Sequence, residues 1–132
     1  MKQISGINHV GLRVTNLEIT RAFYEKLGFV FLAGPLGPEP VAIMEHPSGV
    51  NINFILNAST KGNILMDVPE KHPGYTHFAM NVTDLDAVIT QLDELGIPLS
   101  GTMDLSDGPV QARAVFIRDP DLNVIELHQV FN

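Results

Sequence analysis

The chain has 132 residues, 45% of them hydrophobic and 17% charged, with a formal net charge of −7. That length suits a single domain spanning 1–132, and that composition supports a buried core rather than disorder. The acidic balance, with only 8 Lys and Arg, excludes the clustered basic surface that nucleic acid demands, and the lack of cysteine excludes disulfides, thiolate nucleophiles and cysteine-built zinc sites. No stretch approaches the roughly 18 apolar residues of a membrane span. The N-terminal MKQISGINHV lacks an apolar targeting core, so the expected location is cytoplasmic.

The first element expected is a strand from Ile7 to Val14. Val10, Leu12 and Val14 form an apolar face that packs on a helix; Ile7, His9, Gly11 and Arg13 form the opposite face, the wall of a cavity. Thr15 or Asn16 caps the next helix, which runs to about Leu27 with Leu17, Ala22, Phe23 and Leu27 as its apolar positions, and Gly28 ends it. Phe29 to Ala33 reads as a second strand, interrupted by the proline-rich segment Gly34 to Pro40. Val41 to Glu45 is a third strand, His46 to Gly49 a turn, and Val50 to about Leu56 a fourth. The fourth strand alternates, with Val50, Ile52, Phe54 and Leu56 toward the core and Asn51, Asn53, Ile55 and Asn57 on the other side.

Residues 58–74 carry no strong periodicity and form the linker between a first module, about 5–57, and a second, about 75–131. Leu65, Met66 and Val68 read as a packed turn in preference to a lid. The second module opens with a strand whose Tyr75, His77, Ala79 and Asn81 face a cavity. Asp84 caps a helix from Leu85 to Leu95, closed by Gly96. Strands then follow at Ile97 to Thr102, Ala112 to Ile117 and Val124 to Val130, with a turn-rich loop from Met103 to Gln111 and a tight turn at Asp119 to Asn123. In the last strand Ile125 and Leu127 point to the core, and Glu126 and His128 to the cavity. The order is βαβββ twice, an α+β fold.

The two modules are copies of one unit. HVGLRVTNLEITRAFYEKLGF, from His9, aligns without a gap on HFAMNVTDLDAVITQLDELGI, from His77, at an offset of 68 residues. His9/His77, Val14/Val82, Thr15/Thr83, Leu17/Leu85, Leu27/Leu95 and Gly28/Gly96 are identical pairs. A repeated supersecondary unit of this size needs a neighbour to cover its apolar face.

His9, His77 and Glu126 are the candidate metal ligands. All three are placed on strand faces opposite the helix-packed side, where a rigid backbone holds donors at the roughly 2.0–2.2 Å that a metal requires. Two imidazoles and one carboxylate suit catalytic zinc or a facial Fe(II) triad with open positions. The same pattern also fits two hydrogen-bonded histidines inherited by duplication beside a partly solvated glutamate. Arg13 is a candidate for gripping an anionic substrate or for pairing with a carboxylate, and His128 for orienting Glu126 or moving a proton. His46 and His72, beside prolines, read as solvated loop residues. Tyr24 and Phe23 read as core.

HVGLRVTNLEITRAFYEKLGF, THFAMNV and FIRDPDLNVIEL resemble the three signature stretches of the vicinal oxygen chelate superfamily, which includes glyoxalase I, extradiol dioxygenases, methylmalonyl-CoA epimerase, fosfomycin thiol transferases and bleomycin-binding proteins. The resemblance spans nearly the whole chain. It implies tandem βαβββ modules whose mixed sheets curl into an open cup, helices outside, around one divalent metal ion (Fe2+, Zn2+, Ni2+, Co2+ or Mn2+), with His9, His77 and Glu126 at the ligand positions. It further implies chelation of an enediolate-like species from a small-molecule substrate, by lyase, isomerase or dioxygenase chemistry, in a homodimer. Asn53 falls where glyoxalase I has a carboxylate that is both ligand and base; an amide cannot be that base, and Glu45 is a substitute candidate for it. Phe116 and Gly62 stand where extradiol dioxygenases carry Tyr and His. Gly11 replaces a Thr of the fosfomycin transferases, and MDLSDGPVQ replaces their basic phosphonate loop. The rival expectation is a metal-free protein that binds a small antibiotic-type molecule, yet the chain has no Trp and two Tyr to line such a groove.

Overall fold

Each half of the chain forms a four-stranded mixed sheet with one helix, in a computed structural model that describes residues 1–131. The two compact units are Met1–Lys61 and Gly62–Asn132. The first contains β1 (Val10–Arg13), α1 (Leu17–Lys26), β2 (Val30–Leu36), β3 (Val41–Glu45) and β4 (Asn51–Ile55). The second contains β5 (His77–Asn81), α2 (Leu85–Glu94), β6 (Gly101–Leu105), β7 (Ala112–Arg118) and β8 (Val124–Val130). The strand orders are β1-β4-β3-β2 and β5-β8-β7-β6, so the expected βαβββ plan and α+β class hold in both halves.

In each unit the first strand runs parallel to the last, which a helical crossover makes possible. The registers are equivalent. Gly11, Asn53 and Ile43 lie abreast across β1, β4 and β3; Ala79, Glu126 and Phe116 lie abreast across β5, β8 and β7. Asn53 therefore holds in the first unit the place that Glu126 holds in the second.

Local chemistry sets the helix boundaries. The Asn16 side chain accepts from the Ile19 N–H at 3.0 Å and the Asp84 side chain from the Ala87 N–H at 3.1 Å, each satisfying a donor at a helix start. Leu27 and Leu95 are the C-caps, and Gly28 and Gly96 follow at φ +94° and +72°. The buried stripe of α1 includes Thr20 and Tyr24, while Ala22 is exposed. Leu17, Thr20, Tyr24 and Leu27 follow helical spacing closely, with Thr20 standing in the stripe in place of the expected Ala22.

Tyr24 centres the core of the first unit. Its ring centroid lies 4.8 Å from Phe54, 5.2 Å from Phe23 and 5.5 Å from Phe29, the last two edge-on. The second unit has an aliphatic core instead, of Leu85, Leu92, Val115, Ile117 and Ile125. Gln129 ties its helix to its sheet: Oε1 accepts from the Leu85 N–H at 2.7 Å, and Nε2 donates to the Thr83 carbonyl at 3.1 Å.

β1 starts at Val10 rather than Ile7 and β5 at His77, leaving Tyr75 outside it, and two further strands differ in extent. β2 continues through Gly34 and Pro35, joined by a cis peptide bond, to Leu36. It is an edge strand with register shifts against β3, a setting that tolerates proline. Gly34 is required there: a Cβ would lie 2.6 Å from both the Ala42 Cα and the Val41 carbonyl oxygen. In the second unit, β6 begins at Gly101 rather than Ile97. Ile97 still closes the helix end through its N–H to the Leu92 carbonyl, Pro98 has no N–H to give, and pairing starts with the Ser100 N–H on the Phe116 carbonyl at 2.7 Å. Met103 to Leu105 thus lies in a strand, not a loop.

The later part of the linker is anchored to the second unit. Asn63 donates its backbone N–H to the Asp121 carbonyl at 2.7 Å and its side-chain amide to Asn123 Oδ1 at 2.9 Å. Arg118 holds Asp67 with two hydrogen bonds, of 2.9 and 3.0 Å. At the β7–β8 turn, buried Asp119 accepts from the backbone N–H groups of Asp121 and Asn123 and from the Asn123 amide, all at 2.9 Å.

Asp119→Ala leaves those three donors unmet and should lower unfolding free energy by about 2–4 kcal/mol; urea denaturation showing a loss within error of zero would refute this account of the turn. The hydrogen bonds from Arg118, with its charge, hold the Asp67 carboxyl below the usual carboxylate range. The folded pKa is depressed, so the stability linked to this group is fully present above the unfolded value of about 3.9 and is lost as pH falls through the folded value. Carboxyl NMR titration should place Asp67 below that value in the native chain and near it in Arg118→Met; an ordinary Asp67 pKa in the native chain would contradict the clamp.

Candidate functional site

The parallel pairing of β5 with β8 builds the site in the second unit. β8 is flanked by β5 on one side and β7 on the other, and Glu126 within it is only 7% exposed. Glu126 Oε1 lies 3.1 Å from His77 Nε2, and Glu126 Oε2 lies 2.5 Å from His128 Nδ1. Both described side-chain partners of this buried carboxylate are imidazoles. His77 is held from two further directions. Its Nδ1 is 2.8 Å from the Thr76 hydroxyl, and the Phe116 ring stands edge-on, 5.6 Å between centroids. Phe116 comes into contact because it lies abreast of Glu126 on β7.

The first unit holds the remaining candidates. His9 directly precedes β1 rather than lying within it, and it is exposed. Its Nδ1 is 2.8 Å from Asn8 Oδ1. An amide oxygen only accepts, so Nδ1 carries the hydrogen and Nε2 of the neutral ring keeps a lone pair. Asn53 and Glu45 lie on the face of β4 and β3 opposite buried Ile52, Phe54, Ala42 and Met44. Arg13 already has partners: Nε donates to Asn57 Oδ1 at 2.9 Å, and a terminal nitrogen reaches Glu39 at 3.1 Å. Its carboxylate-pairing role is the one the geometry displays. Those same bonds, the Asn57 amide foremost and then Arg13, hold the Glu39 carboxyl below its ordinary range.

His46 departs from the expectation of a solvated loop residue. Its half-buried ring packs on Phe29 at 5.4 Å, and its Nδ1 accepts from the Ser48 N–H at 3.1 Å, so it closes the β3–β4 turn. Exposed His72 approaches Glu70 at 3.6 Å.

Among the described residues, no cluster of three or more His, Cys, Asp or Glu side chains is arranged to hold a metal ion. His77 and Glu126 nonetheless fit as a ligand pair. Bonds of about 2.1 Å place adjacent donors roughly 3.0 Å apart in an octahedron and roughly 3.4 Å apart in a tetrahedron. The observed 3.1 Å lies between them. Thr76 serves either state of His77: its hydroxyl donates to Nδ1 when Nε2–H faces Glu126, and accepts from Nδ1–H when the Nε2 lone pair is needed.

Comparison with known proteins accords with this architecture. The model of the Glyoxalase/Bleomycin resistance protein/Dioxygenase superfamily matches residues 6–127. A metallothiol transferase FosB from Shouchella clausii (strain KSM-K16) is 28% identical over 130 residues, covering 95% of this chain and 80% of that protein. Among solved structures, a glyoxalase family protein from Enterococcus faecalis aligns with a TM-score of 0.74 at 28% identity, over 93% of this chain and 96% of that one. A glyoxylase/bleomycin resistance protein/dioxygenase domain from Frankia sp. EAN1pec aligns with a TM-score of 0.76 at 22% identity, over 98% of this chain and all of that one, a likeness of fold. With its tandem βαβββ units and a family match across residues 6–127, the chain belongs to the glyoxalase/bleomycin resistance protein/dioxygenase superfamily.

Proposed function

We propose that the chain is a divalent-metal-dependent enzyme acting on a small molecule with two neighbouring oxygens, with His77, Glu126 and His9 as the protein ligands. One observation carries the reading: a carboxylate buried in a central strand, with its Oε1 at ligand-to-ligand spacing from His77 Nε2. His9 enters on the superfamily resemblance and on its tautomer, which leaves Nε2 free to ligate. It comes from the same chain or from a second copy in the expected homodimer. When bound, a divalent ion supplies Lewis-acid polarisation of the two substrate oxygens.

The chain's own groups narrow the chemistry. Glu126 brings one negative charge to the centre, and Asn53 brings none, so the ion keeps net positive charge for an anionic or enolisable substrate. Phe116 offers His77 a ring edge and no hydroxyl, which favours lyase or isomerase chemistry over extradiol ring cleavage. Proton transfer falls to Glu45, on the face of β3 shared with Asn53. The name of the Shouchella relative supports metal dependence. Exposed Asp104 and Asp107 stand where the transferases carry a basic loop, and their like charge disfavours a phosphonate there.

Protein purified without an affinity tag should carry about one divalent ion per chain, falling at least about ten-fold in His77→Ala and Glu126→Ala. Iron would direct assays to O₂ chemistry, and zinc, nickel, cobalt or manganese to isomerisation or elimination. A metal-free protein that gains no thermal stability from added divalent ions would overturn the proposal in favour of a small-molecule binding protein.

A further inference from the structure

We propose that His128 is the positioning residue of this centre: by occupying Glu126 Oε2 it confines the carboxylate to one-oxygen ligation through Oε1. This rests on the metal-centre reading above and deepens it. A carboxylate offers two oxygens and about four lone-pair directions. Unrestrained, it swings readily between one- and two-oxygen binding. Here the two oxygens are not equivalent. Oε2 is hydrogen-bonded to His128 Nδ1 at 2.5 Å, the closer of the two contacts, while Oε1 lies 3.1 Å from His77 Nε2. The carboxylate only accepts, so His128 Nδ1 holds the hydrogen.

Strand alternation makes the two side chains neighbours. Glu126 and His128 are two residues apart on one face of β8. On the flanking strands Ala79 and Phe116 lie abreast of Glu126, and Asn81 and Ala114 abreast of His128. None of these four is charged, so no ionic group abreast of Glu126 or His128 competes for Oε2. Buried Ala114 leaves room for the imidazole. One-oxygen ligation matters because the two oxygens of a chelating substrate need two open positions, and a two-oxygen glutamate would take one of them.

The test titrates the full chain with Co2+, reading affinity by chelator competition, coordination by the visible spectrum, and carboxylate mode by the separation of its infrared stretches. His128→Phe keeps the ring volume and removes the donor; His128→Asn puts an amide nitrogen where Nδ1 stood. The phenylalanine variant should bind Co2+ about 10- to 100-fold more weakly, with an altered visible spectrum and the narrowed stretch separation of two-oxygen binding, and the asparagine variant should recover most of the affinity. Should His128→Phe not fold, His128→Ala with and without added imidazole reads the same donor. Wild-type affinity and spectra in the donor-free variant, with Co2+ binding lost in His77→Ala and Glu126→Ala, would refute the role of His128 and leave the metal centre standing. A native chain that binds no Co2+ would overturn both.

Discussion

A charged carboxylate in a strand paired on both sides has little access to water, and the second unit is arranged around meeting that demand. Burying an unpaired carboxylate is prohibitively costly, so such groups are found with donors, counter-charges or metal ions. Glu126 is met by two imidazoles, one on the neighbouring parallel strand and one two residues along its own strand. Neither partner is the fixed cation that a structural ion pair would supply. Imidazole is also the side chain that can hydrogen-bond to a carboxylate or ligate a metal with the same nitrogen, depending on its tautomer. A buried glutamate between histidines is thus satisfied as a hydrogen-bonded row.

The precision of that row comes from elements that take no part in it. The Asp119 turn fixes how β7 returns as β8, and with it which β7 residue stands beside Glu126. Because that residue is Phe116, the His77 ring is braced edge-on. At the other end, Gln129 joins the start of α2 and the Thr83 carbonyl to β8, holding the parallel register of β5 that brings His77 within reach. A one-residue slip in either pairing would turn Glu126 or His77 toward the opposite face. The linker reinforces the turn, since Asn63 bonds to Asp121 and Asn123.

Much of this was legible in the sequence because it obeys local periodicity. Alternation in Val124–Val130 placed Glu126 and His128 together, and the gapless repeat placed both helices and their caps. β6 was less legible: Leu99 and Ser100 alternate like a strand, but Pro98 delays pairing until the β7 partner arrives, a long-range condition. Thr20 was hidden by its hydroxyl, whereas Tyr24 reads as core from the sequence and its ring anchors an aromatic cluster. His46 looked solvated because nothing local announces that Phe29 will lie against it. The tautomer of His9 and the split of Glu126 into two unlike oxygens are matters of tenths of an ångström, beyond what residue spacing encodes.

The equivalence of Asn53 and Glu126 bears on how such a chain diverges. The two positions share a register, but only one is charged, so the burden of a buried anion falls on a single half. The row Gly11, Asn53 and Ile43 is neutral, and substitutions there disturb no charge balance. The row Ala79, Glu126 and Phe116 is constrained by every donor it must satisfy. The two halves thus share a backbone plan but differ in electrostatic demand, since only the second has to satisfy a buried carboxylate at this register position.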